Sequence, residues 1–332
     1  MNKGVFSGKF FRRISNISII SVFLVIFAGA FVRTTGAGMG CPDWPTCFGM
    51  IIPPTDESQL PADYKERYKR ENYSEEHVTF NVTKTWTEYI NRLIGALAGL
   101  FFLLTAISSL QFWRKNRNVT ILAIIALILM GIQGWLGMKV VFSALQQWLI
   151  TIHMVLALII VACLLLAVYV SRKDEKEVLL IQSSVNGRIK TAAIAATALT
   201  LLQVILGTQV REQVDHVNGM AINDTDKLIE LLGSVFRSHE ANTGILILFV
   251  SGLLWAIIKF TSNNRKDINR CLQVVLAFIL LQITTGVFNL TSAFPAVAQV
   301  THITLGATTF GFQFYAMMVI LFSSKKKHEL MA

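Results

Sequence analysis

Long apolar runs alternate with short polar segments along nearly the whole chain. Runs of roughly 20 apolar residues are long enough for a helix to cross the hydrocarbon core of a bilayer. One polar stretch, residues 35–85, is much longer than the others and is named the long loop below. The pattern predicts an all-α polytopic membrane protein. Its eight predicted transmembrane helices are residues 16–34, 87–112, 118–141, 146–170, 189–211, 234–260, 268–289 and 297–322.

The composition and the distribution of charge support this prediction. Of 332 residues, 53% are hydrophobic and 15% are charged, whereas soluble domains contain about 25% charged residues. Lys and Arg occur in the N-terminal segment and in alternate loops, which predicts that both termini face the cytoplasm, as expected in the inner (cytoplasmic) membrane of a cell. Topology therefore explains the net charge of +10, and no nucleic-acid partner is needed. The basic clusters are residues 3–13, 114–117, 172–176, 259–270 and 325–327.

The second half of the chain repeats a pattern of the first half. A glutamine, a glycine four residues later and a histidine sixteen residues after that glycine occur twice, 149 positions apart. A Gly-x3-Arg pair also occurs twice, 178 positions apart. Such duplication indicates two structural repeats, which are parallel because four predicted crossings separate them. The matched residues are Gln133, Gly137 and His153 with Gln282, Gly286 and His302, and Gly29 and Arg33 with Gly207 and Arg211.

The repeat predicts two tandem, pseudo-symmetric four-helix bundles. The N-terminal bundle is residues 1–171, a cytoplasmic linker is 172–186, and the C-terminal bundle is 187–332. Aligning the second helices of the bundles places Asn91 opposite His239, 148 positions apart. This offset is about 30 residues smaller than the 178 of the Gly-x3-Arg pair, so the long loop contains about 30 extra residues. They are interpreted as an inserted external cap. A cleaved signal peptide ending near residue 30 is the alternative for the first helix, but the recurring Gly-x3-Arg pair argues against it.

The long loop contains two cysteines in the sequence CPDWPTC. Because disulfides persist on the outer side of a membrane, a bridge between Cys41 and Cys47 is predicted to hold the loop at the membrane surface. Free redox-active thiols and a metal site are the alternatives, although two thiolates without a nearby His or Cys form a poor zinc site. The spacing does not separate a structural from a redox role. The other cysteines, Cys163 and Cys271, lie in predicted helices.

Three histidines, His153, His239 and His302, lie inside predicted apolar helices. Each is about 7–12 Å from the outer helix end at 1.5 Å per residue. An ionisable side chain at that depth is costly and usually functional, although a neutral histidine bonded to a neighbouring carbonyl is the alternative for each. His239 and His302 begin the second and fourth helices of one bundle, so the pair predicts a heme iron with two axial histidines.

The corresponding position in the N-terminal bundle predicts a different heme site. Here the partner of His153 is Asn91, a poor iron ligand, so we expect a less saturated site that suits a substrate or reactive heme. Glu88 lies one helical turn before Asn91 on the same face. It is a candidate base or stabiliser of a cationic intermediate, and an interfacial ion pair with Arg92 is the alternative.

Four arginines lie at or near the outer ends of predicted helices. At this level paired cations suit the propionates of a heme. Snorkelling toward lipid phosphates is the alternative for each of them. The arginines are Arg33, Arg92, Arg211 and Arg237.

Two motifs and the three intramembrane histidines together resemble the heme A synthase family. The motifs are TTGAGMGCPDWPTCFG at residues 34–49 and TEYINRLIGALAG at residues 87–99. The resemblance covers essentially the whole chain. It implies an oxidoreductase that converts the C8 methyl group of heme O to the formyl group of heme A for cytochrome oxidase biogenesis.

The resemblance also implies roles for particular residues. It implies a heme b cofactor in the C-terminal bundle and substrate heme O in the N-terminal bundle. Glu88 matches a carboxylate in or close to catalysis, and the cysteine pair matches one found in some branches of the family. The implied heme b ligands are His239 and His302, and the implied heme O contacts are Glu88, Asn91 and His153. The arginines expected from their position to bind propionates are Arg211 and Arg237 for heme b, and Arg33 and Arg92 for heme O.

The chain departs from the family pattern at Asn91, where the family usually has His. His153 is therefore the expected axial ligand of the substrate, with His77 from the long loop as a further candidate. The predicted mechanism is two hydroxylations of the methyl group to a geminal diol, which then loses water to give the aldehyde. The heme b site removes electrons, while Glu88 takes protons or stabilises a carbocation-like intermediate.

Two other functions fit part of the sequence. A quinol-linked, b-type electron-transfer cytochrome accounts for the hemes but not for the long loop or the unequal second site. A heme transporter or chaperone is the third hypothesis. Candidate partners beyond heme O are heme O synthase, a membrane or soluble electron acceptor, and a second copy of the chain.

Overall fold

The computed structural model of the chain describes residues 7–71, 78–172, 187–217, 230, 233–261, 266–292 and 294–322. Within those residues all named elements are helical, which confirms the all-α prediction. The predicted linker at 173–186, His77 and the basic cluster at 325–327 lie outside the described residues. The α-helices are α1 (Gly8–Thr34), α2 (Tyr64–Tyr68), α3 (Val82–Ser109), α4 (Arg117–Phe142), α5 (Gln147–Ser171), α6 (Gly187–Val217), α7 (Gly244–Thr261), α8 (Lys266–Thr291) and α9 (Ala296–Leu321).

Seven helices of the described part are long and apolar enough to cross a membrane. They are α1, α3 with the 3₁₀ turn Leu110–Phe112 that follows it, α4, α5, α6, α8 and α9. The apolar segment Gly244–Phe260 of α7 is shorter. These lengths and their apolar composition make the chain a multi-pass membrane protein. The arrangement of eight spans as two repeated bundles remains a prediction.

The helices α1 and α3 begin several residues before their predicted starts at 16 and 87. The Ser7 side chain accepts a hydrogen bond from the Phe10 amide at 3.2 Å, and the Asn81 side chain accepts one from the Lys84 amide at 3.0 Å. These N-cap bonds satisfy amides that have no partner within the helix. The start of each helix is therefore set by a polar cap, and an apolar run alone places it too late.

The sixth predicted span, 234–260, is not one regular helix. Residues Ser238–Thr243 form a π-helical turn before α7. The Thr243 hydroxyl lies 2.9 Å from the Ser238 carbonyl oxygen and 3.2 Å from that of His239. The Thr243 side chain thus replaces part of the α-helical bonding. Ser, Asn and Thr in this turn are also weaker helix formers than Ala or Leu. His239 lies in a widened turn of the kind that often occurs at functional sites.

The chain divides into two compact units. Unit 1 contains Met1–Leu164 and Pro295–Thr304. Within it, α1 packs against α3 and α3 packs against α4. The Phe11 and Phe112 rings meet edge to face with centroids 5.2 Å apart, and the hydroxyls of Ser18 and Thr105 are 2.9 Å apart. An interhelical hydroxyl pair is typical of helix packing in lipid, where the hydrophobic effect does not bring helices together.

Unit 2 contains Leu165–Phe294 and Leu305–Ala332. In this unit α7 packs against α6 and α8, and the π-helical turn packs against α6 and α7. The core includes the fully buried side chains of Leu254, Leu272 and Ile320. This packing positions His239 beside α6. The predicted bundle boundaries at 171 and 187 remain a prediction.

Candidate functional site

A disulfide-closed turn forms the part of the long loop nearest to α3. Cys41 and Cys47 are bonded, as predicted, and both are fully buried. The Asp43 carboxylate accepts hydrogen bonds from the amides of Phe48 at 2.6 Å and Gly49 at 2.9 Å, and also from the Thr46 hydroxyl. The bridge excludes the alternatives of free thiols and of a metal site at these two cysteines, and the turn has a defined shape.

Glu88 and Arg92 fix this turn to the first part of α3. The Glu88 side chain is 3% exposed, and its Oε2 accepts a hydrogen bond from the Cys41 amide at 2.8 Å. Its Oε1 lies 2.5 Å from Nη2 of Arg92. The Arg92 guanidinium also donates to the carbonyl oxygens of Cys41 at 3.0 Å, Asp43 at 2.7 Å and Thr46 at 2.9 Å. The ion pair between Glu88 and Arg92, which was expected as the alternative to a catalytic role, is therefore present. Both of its side chains also bond to the loop backbone.

Gly40 allows the loop backbone to approach α3 closely. The Thr85 hydroxyl donates a hydrogen bond to the Gly40 carbonyl at 2.8 Å. A Cβ atom at residue 40 would lie 2.4 Å from the Lys84 carbonyl oxygen. Only glycine fits here without moving one of the two backbones.

His153 and Asn91 both carry buried polar atoms in unit 1 that the described residues do not satisfy. His153 lies near the start of α5, and its Nδ1 has no hydrogen-bond partner among the described residues. Oδ1 of Asn91, one turn after Glu88 on α3, also has none. A buried polar atom without a partner costs about 1–3 kcal/mol. Both atoms therefore suit a ligand that would supply the missing contact.

Arg33, at the end of α1, contacts the start of α5, the helix that carries His153. Its Nη2 donates a hydrogen bond to Oε1 of Gln147 at 2.7 Å. Gln147 precedes His153 by six residues, or about 9 Å along a helix. The predicted propionate cation and the predicted axial ligand thus lie near one helix end. Arg92, by contrast, donates to four oxygen atoms of the protein itself.

The third predicted site residue in this group, His239, lies in unit 2 beside α6. It is 4% exposed, and Nε2 of Gln203 on α6 donates to its carbonyl oxygen at 2.8 Å. A Cβ atom at Gly207 would lie 3.1 Å from Cε1 of the imidazole. Arg211 follows Gly207 by one helical turn and is half-buried, whereas Arg237 is exposed.

The remaining predicted residue, His302, lies in α9 within Pro295–Thr304 of unit 1. It is half-buried. Its pairing with His239 rests on the sequence repeat and remains a prediction. Among the described residues, no three His, Cys, Asp or Glu side chains form a group that could hold a metal ion. Isolated histidines of this kind suit a heme iron, whose porphyrin supplies the other ligands.

Sequence reasoning missed three parts of this arrangement. It did not foresee the Arg92 bonds to the loop carbonyls, the π-helical turn around His239, or the glutamine bonds to histidine carbonyls. The glutamine signal was present, since Gln133 belongs to the repeat and Gln203 lies four residues before Gly207.

This geometry defines a multi-pass helical membrane protein with buried and half-buried histidines in its helices and a disulfide-closed loop docked on a helix. The family described as cytochrome oxidase assembly protein matches residues 12–314. Because the match covers most of the chain, the chain belongs to that family.

The chain is also similar to curated relatives that bear the name Heme A synthase. The relative from Listeria monocytogenes serovar 1/2a is 24% identical over 97% of this chain and 98% of its own length. The relative from Exiguobacterium sp. is 24% identical over 91% of this chain and 90% of its own length. The relative from Rickettsia akari is 27% identical over 86% of this chain and 90% of its own length. These matches confirm the resemblance drawn from the two motifs and the histidines.

Proposed function

We propose that the chain is a heme A synthase, which oxidises the C8 methyl group of heme O to a formyl group for cytochrome oxidase assembly. The observation that carries the proposal is the match along nearly the whole chain to relatives of that name. The buried polar atoms of His153 and Asn91 support it, because a bound ligand would supply the contacts that they lack.

The proposed substrate site is formed in the N-terminal half. His153 provides the axial imidazole to the iron of heme O, and Arg33 binds a propionate. Asn91 leaves the opposite side of the iron weakly occupied. Arg92 acts on the substrate indirectly, because its guanidinium holds the loop beside the first part of α3.

The proposed role of Glu88 follows from its bonds. Both carboxylate oxygens accept hydrogen bonds, one from Arg92 and one from the Cys41 amide. Such charge-assisted bonds fix a negative charge in position. We therefore assign Glu88 to stabilising the positive charge that develops next to the methyl group, in preference to proton abstraction. With water as the source of oxygen, the two hydroxylations consume two water molecules and release four protons and four electrons, and the diol then loses one water. The reaction therefore requires an electron acceptor.

The proposed cofactor is heme b, whose iron His239 and His302 would hold, with Arg211 and Arg237 near its propionates. When bound, it supplies the route by which electrons leave the substrate. The His239 imidazole lies next to Gly207, where a Cβ atom would be 3.1 Å from its Cε1. The matching sequence spacing of His153 and His302 supports the assignment of His302.

The proposal includes a location and partners. The proposed location is the inner membrane, with both termini in the cytoplasm and the long loop outside, and the distribution of the basic segments supports it. The proposed partners are heme O synthase as the source of substrate, and a membrane or soluble electron acceptor. The two bundles, 1–171 and 187–332, are proposed to hold the substrate and the cofactor respectively.

Extraction of hemes from cells that also make heme O tests the function. We expect heme A with the unsubstituted protein, and heme O without heme A for Glu88→Ala. Glu66→Ala, which removes an exposed carboxylate of the long loop, is the matched control and retains heme A. Heme b as the only bound pigment, despite available heme O, would instead favour an electron-transfer cytochrome.

A further inference from the structure

A glutamine of the preceding helix contacts the backbone of His153. Gln133 on α4 is 6% exposed, and its Nε2 donates to the carbonyl oxygen of His153 at 3.0 Å. One turn later on the same face of α4, the Cβ position of Gly137 lies 3.6 Å from Cε1 of the imidazole. The amide holds the main chain of the histidine, and the glycine lies beside its ring.

The same pair of contacts occurs at His239 in unit 2. Nε2 of Gln203 donates to the His239 carbonyl at 2.8 Å, and the Cβ position of Gly207 lies 3.1 Å from Cε1 of the ring. The Thr243 hydroxyl donates a hydrogen bond to Oε1 of Gln203. The side-chain amide therefore bonds at both ends within the π-helical turn, where backbone bonding is irregular.

A third Gln-x3-Gly pair precedes His302 in the sequence. Gln282 and Gly286 lie on α8, and Gly286 precedes His302 by the same sixteen residues that separate Gly137 from His153. The Cβ position of Gly306 lies 2.9 Å from Nε2 of Gln282. Gly306 follows His302 by four residues, so in an α-helix its amide donates to the carbonyl of residue 302.

The fourth corresponding place in the chain lacks both the histidine and the glutamine. The offset of 178 that matches Gly29 with Gly207 matches Val25 with Gln203, and the helix that follows carries Asn91 where the repeat has His239. No described atom lies within 4 Å of the Cβ position of Gly29. Glutamine thus occurs on the preceding helix at each of the three histidines and is absent where the chain has asparagine.

We propose that Gln133 and Gln203, and Gln282 by the repeat, are positioning residues for the heme-binding histidines. Gln133 and Gln203 anchor the carbonyls of their histidines and so fix the rotation of those helices, and Gln282 lies beside Gly306 in the turn that follows His302. The inference rests on the proposed function, in which these histidines bind heme. Outer contacts of this kind change metal affinity by about 10- to 100-fold and tune heme potentials.

Replacing Gln203 by leucine tests the proposal, because leucine is of similar size and donates no hydrogen bond. The matched control is Gln313→Leu, which alters a buried glutamine of α9 about 16 Å along the helix from His302. The unsubstituted protein and both variants are purified in detergent with heme bound. The measurements are the electron paramagnetic resonance g-values, the midpoint potential and the rate of heme transfer to apomyoglobin.

For Gln203→Leu we expect shifted g-values and heme loss at least about 10-fold faster than in the unsubstituted protein. Gln313→Leu should match the unsubstituted protein in all three measurements. Unchanged g-values, potential and heme loss in Gln203→Leu would overturn the positioning role. Equal effects of Gln203→Leu and Gln313→Leu would also overturn it, because a general loss of packing would then explain both.

A glycine series gives a second test that is independent of the glutamines. Gly207→Ala places a methyl group 3.1 Å from the His239 ring, so the ring must move, whereas Gly137→Ala makes an ordinary contact at 3.6 Å with His153. Gly29→Ala meets no described atom within 4 Å. We expect shifted g-values for Gly207→Ala only. Shifts of equal size in all three variants would contradict the proposed packing.

One further variant separates this inference from the proposed function. His239→Ala should lose heme if His239 is a ligand. Unchanged heme content and spectra in His239→Ala would overturn the ligand assignment, and the positioning role of Gln203 with it. Heme loss in His239→Ala together with an unperturbed Gln203→Leu would overturn the positioning role alone.

Discussion

Replacement of Arg92 by leucine should release the disulfide-closed turn from α3. The substitution removes the bonds to the carbonyls of Cys41, Asp43 and Thr46. It also leaves the Glu88 carboxylate, 3% exposed, without its cation. Removing one partner of a buried ion pair costs about 3–5 kcal/mol. Since 1.4 kcal/mol corresponds to tenfold in an equilibrium constant, the turn should open about 100-fold more often or more.

The opening can be measured as the rate at which a phosphine reductant cleaves the Cys41–Cys47 bridge in membranes. Both cysteines are fully buried, so reduction requires the turn to open. The new thiols are counted by the gel shift of a maleimide polymer, against the two free cysteines Cys163 and Cys271. The expected result is reduction about 100-fold faster in Arg92→Leu, in proportion to the more frequent opening.

A second ion pair with the same i,i+4 spacing provides the control. Arg67 and Asp63 on and before α2 are 2.8 Å apart, but their side chains are 59% and 56% exposed. Exposed pairs contribute little to stability, so Arg67→Leu should leave the reduction rate unchanged. Reduction of Arg92→Leu within twofold of the unsubstituted protein would refute the conclusion that Arg92 holds the turn.

Three further predictions concern the long loop and the substrate site. Gly40→Ala should also accelerate reduction of the bridge, because its Cβ would lie 2.4 Å from the Lys84 carbonyl oxygen, whereas Gly95→Ala meets no described atom and should have no effect. Asn91→His should increase retention of heme O and its low-spin signal, because it supplies a second imidazole to the proposed site. Burial and the hydrogen bond to a neighbouring glutamate raise the pKa of Tyr64. The stabilisation by its protonated form is complete below about pH 10 and decreases as the pH rises through the raised pKa. Bridge reduction should therefore accelerate above the raised pKa in the unsubstituted protein but not in Tyr64→Phe.

Each of these predictions has a distinct contradicting result. Equal reduction rates in Gly40→Ala and Gly95→Ala would mean that the loop does not need its close approach to α3. A heme O signal unchanged by Asn91→His would place the substrate iron elsewhere. The same alkaline acceleration in Tyr64→Phe and the unsubstituted protein would assign the effect to another group.

The fold was largely predictable because membrane helices depend on long apolar runs. Seven helices of the described part are long and apolar enough to cross a membrane, as predicted. The errors concern ends and irregular turns, where polar side chains decide the structure. Ser7 and Asn81 start two helices early, and Thr243 stabilises a π-helical turn that an apolar pattern cannot reveal.

The site was predictable only where the interacting residues are close in sequence or repeated. The Glu88–Arg92 pair was expected as an alternative, because a spacing of four places both on one helix face. The bonds from Arg92 to the loop are formed with backbone carbonyls of residues 41–46, which carry no sequence signal. The contacts of Gln133 and Gln203 with histidine carbonyls were unforeseen for the same reason, although the repeat had singled out Gln133.

Heme analysis of cells that supply heme O tests the central claim most directly. The extracted pigments are separated by chromatography and identified by mass, with the unsubstituted chain and Glu88→Ala compared at equal protein levels. Heme A that appears with the unsubstituted chain and is absent with Glu88→Ala is the predicted result. Heme O that remains unconverted by the unsubstituted chain would contradict the proposal that this protein is a heme A synthase.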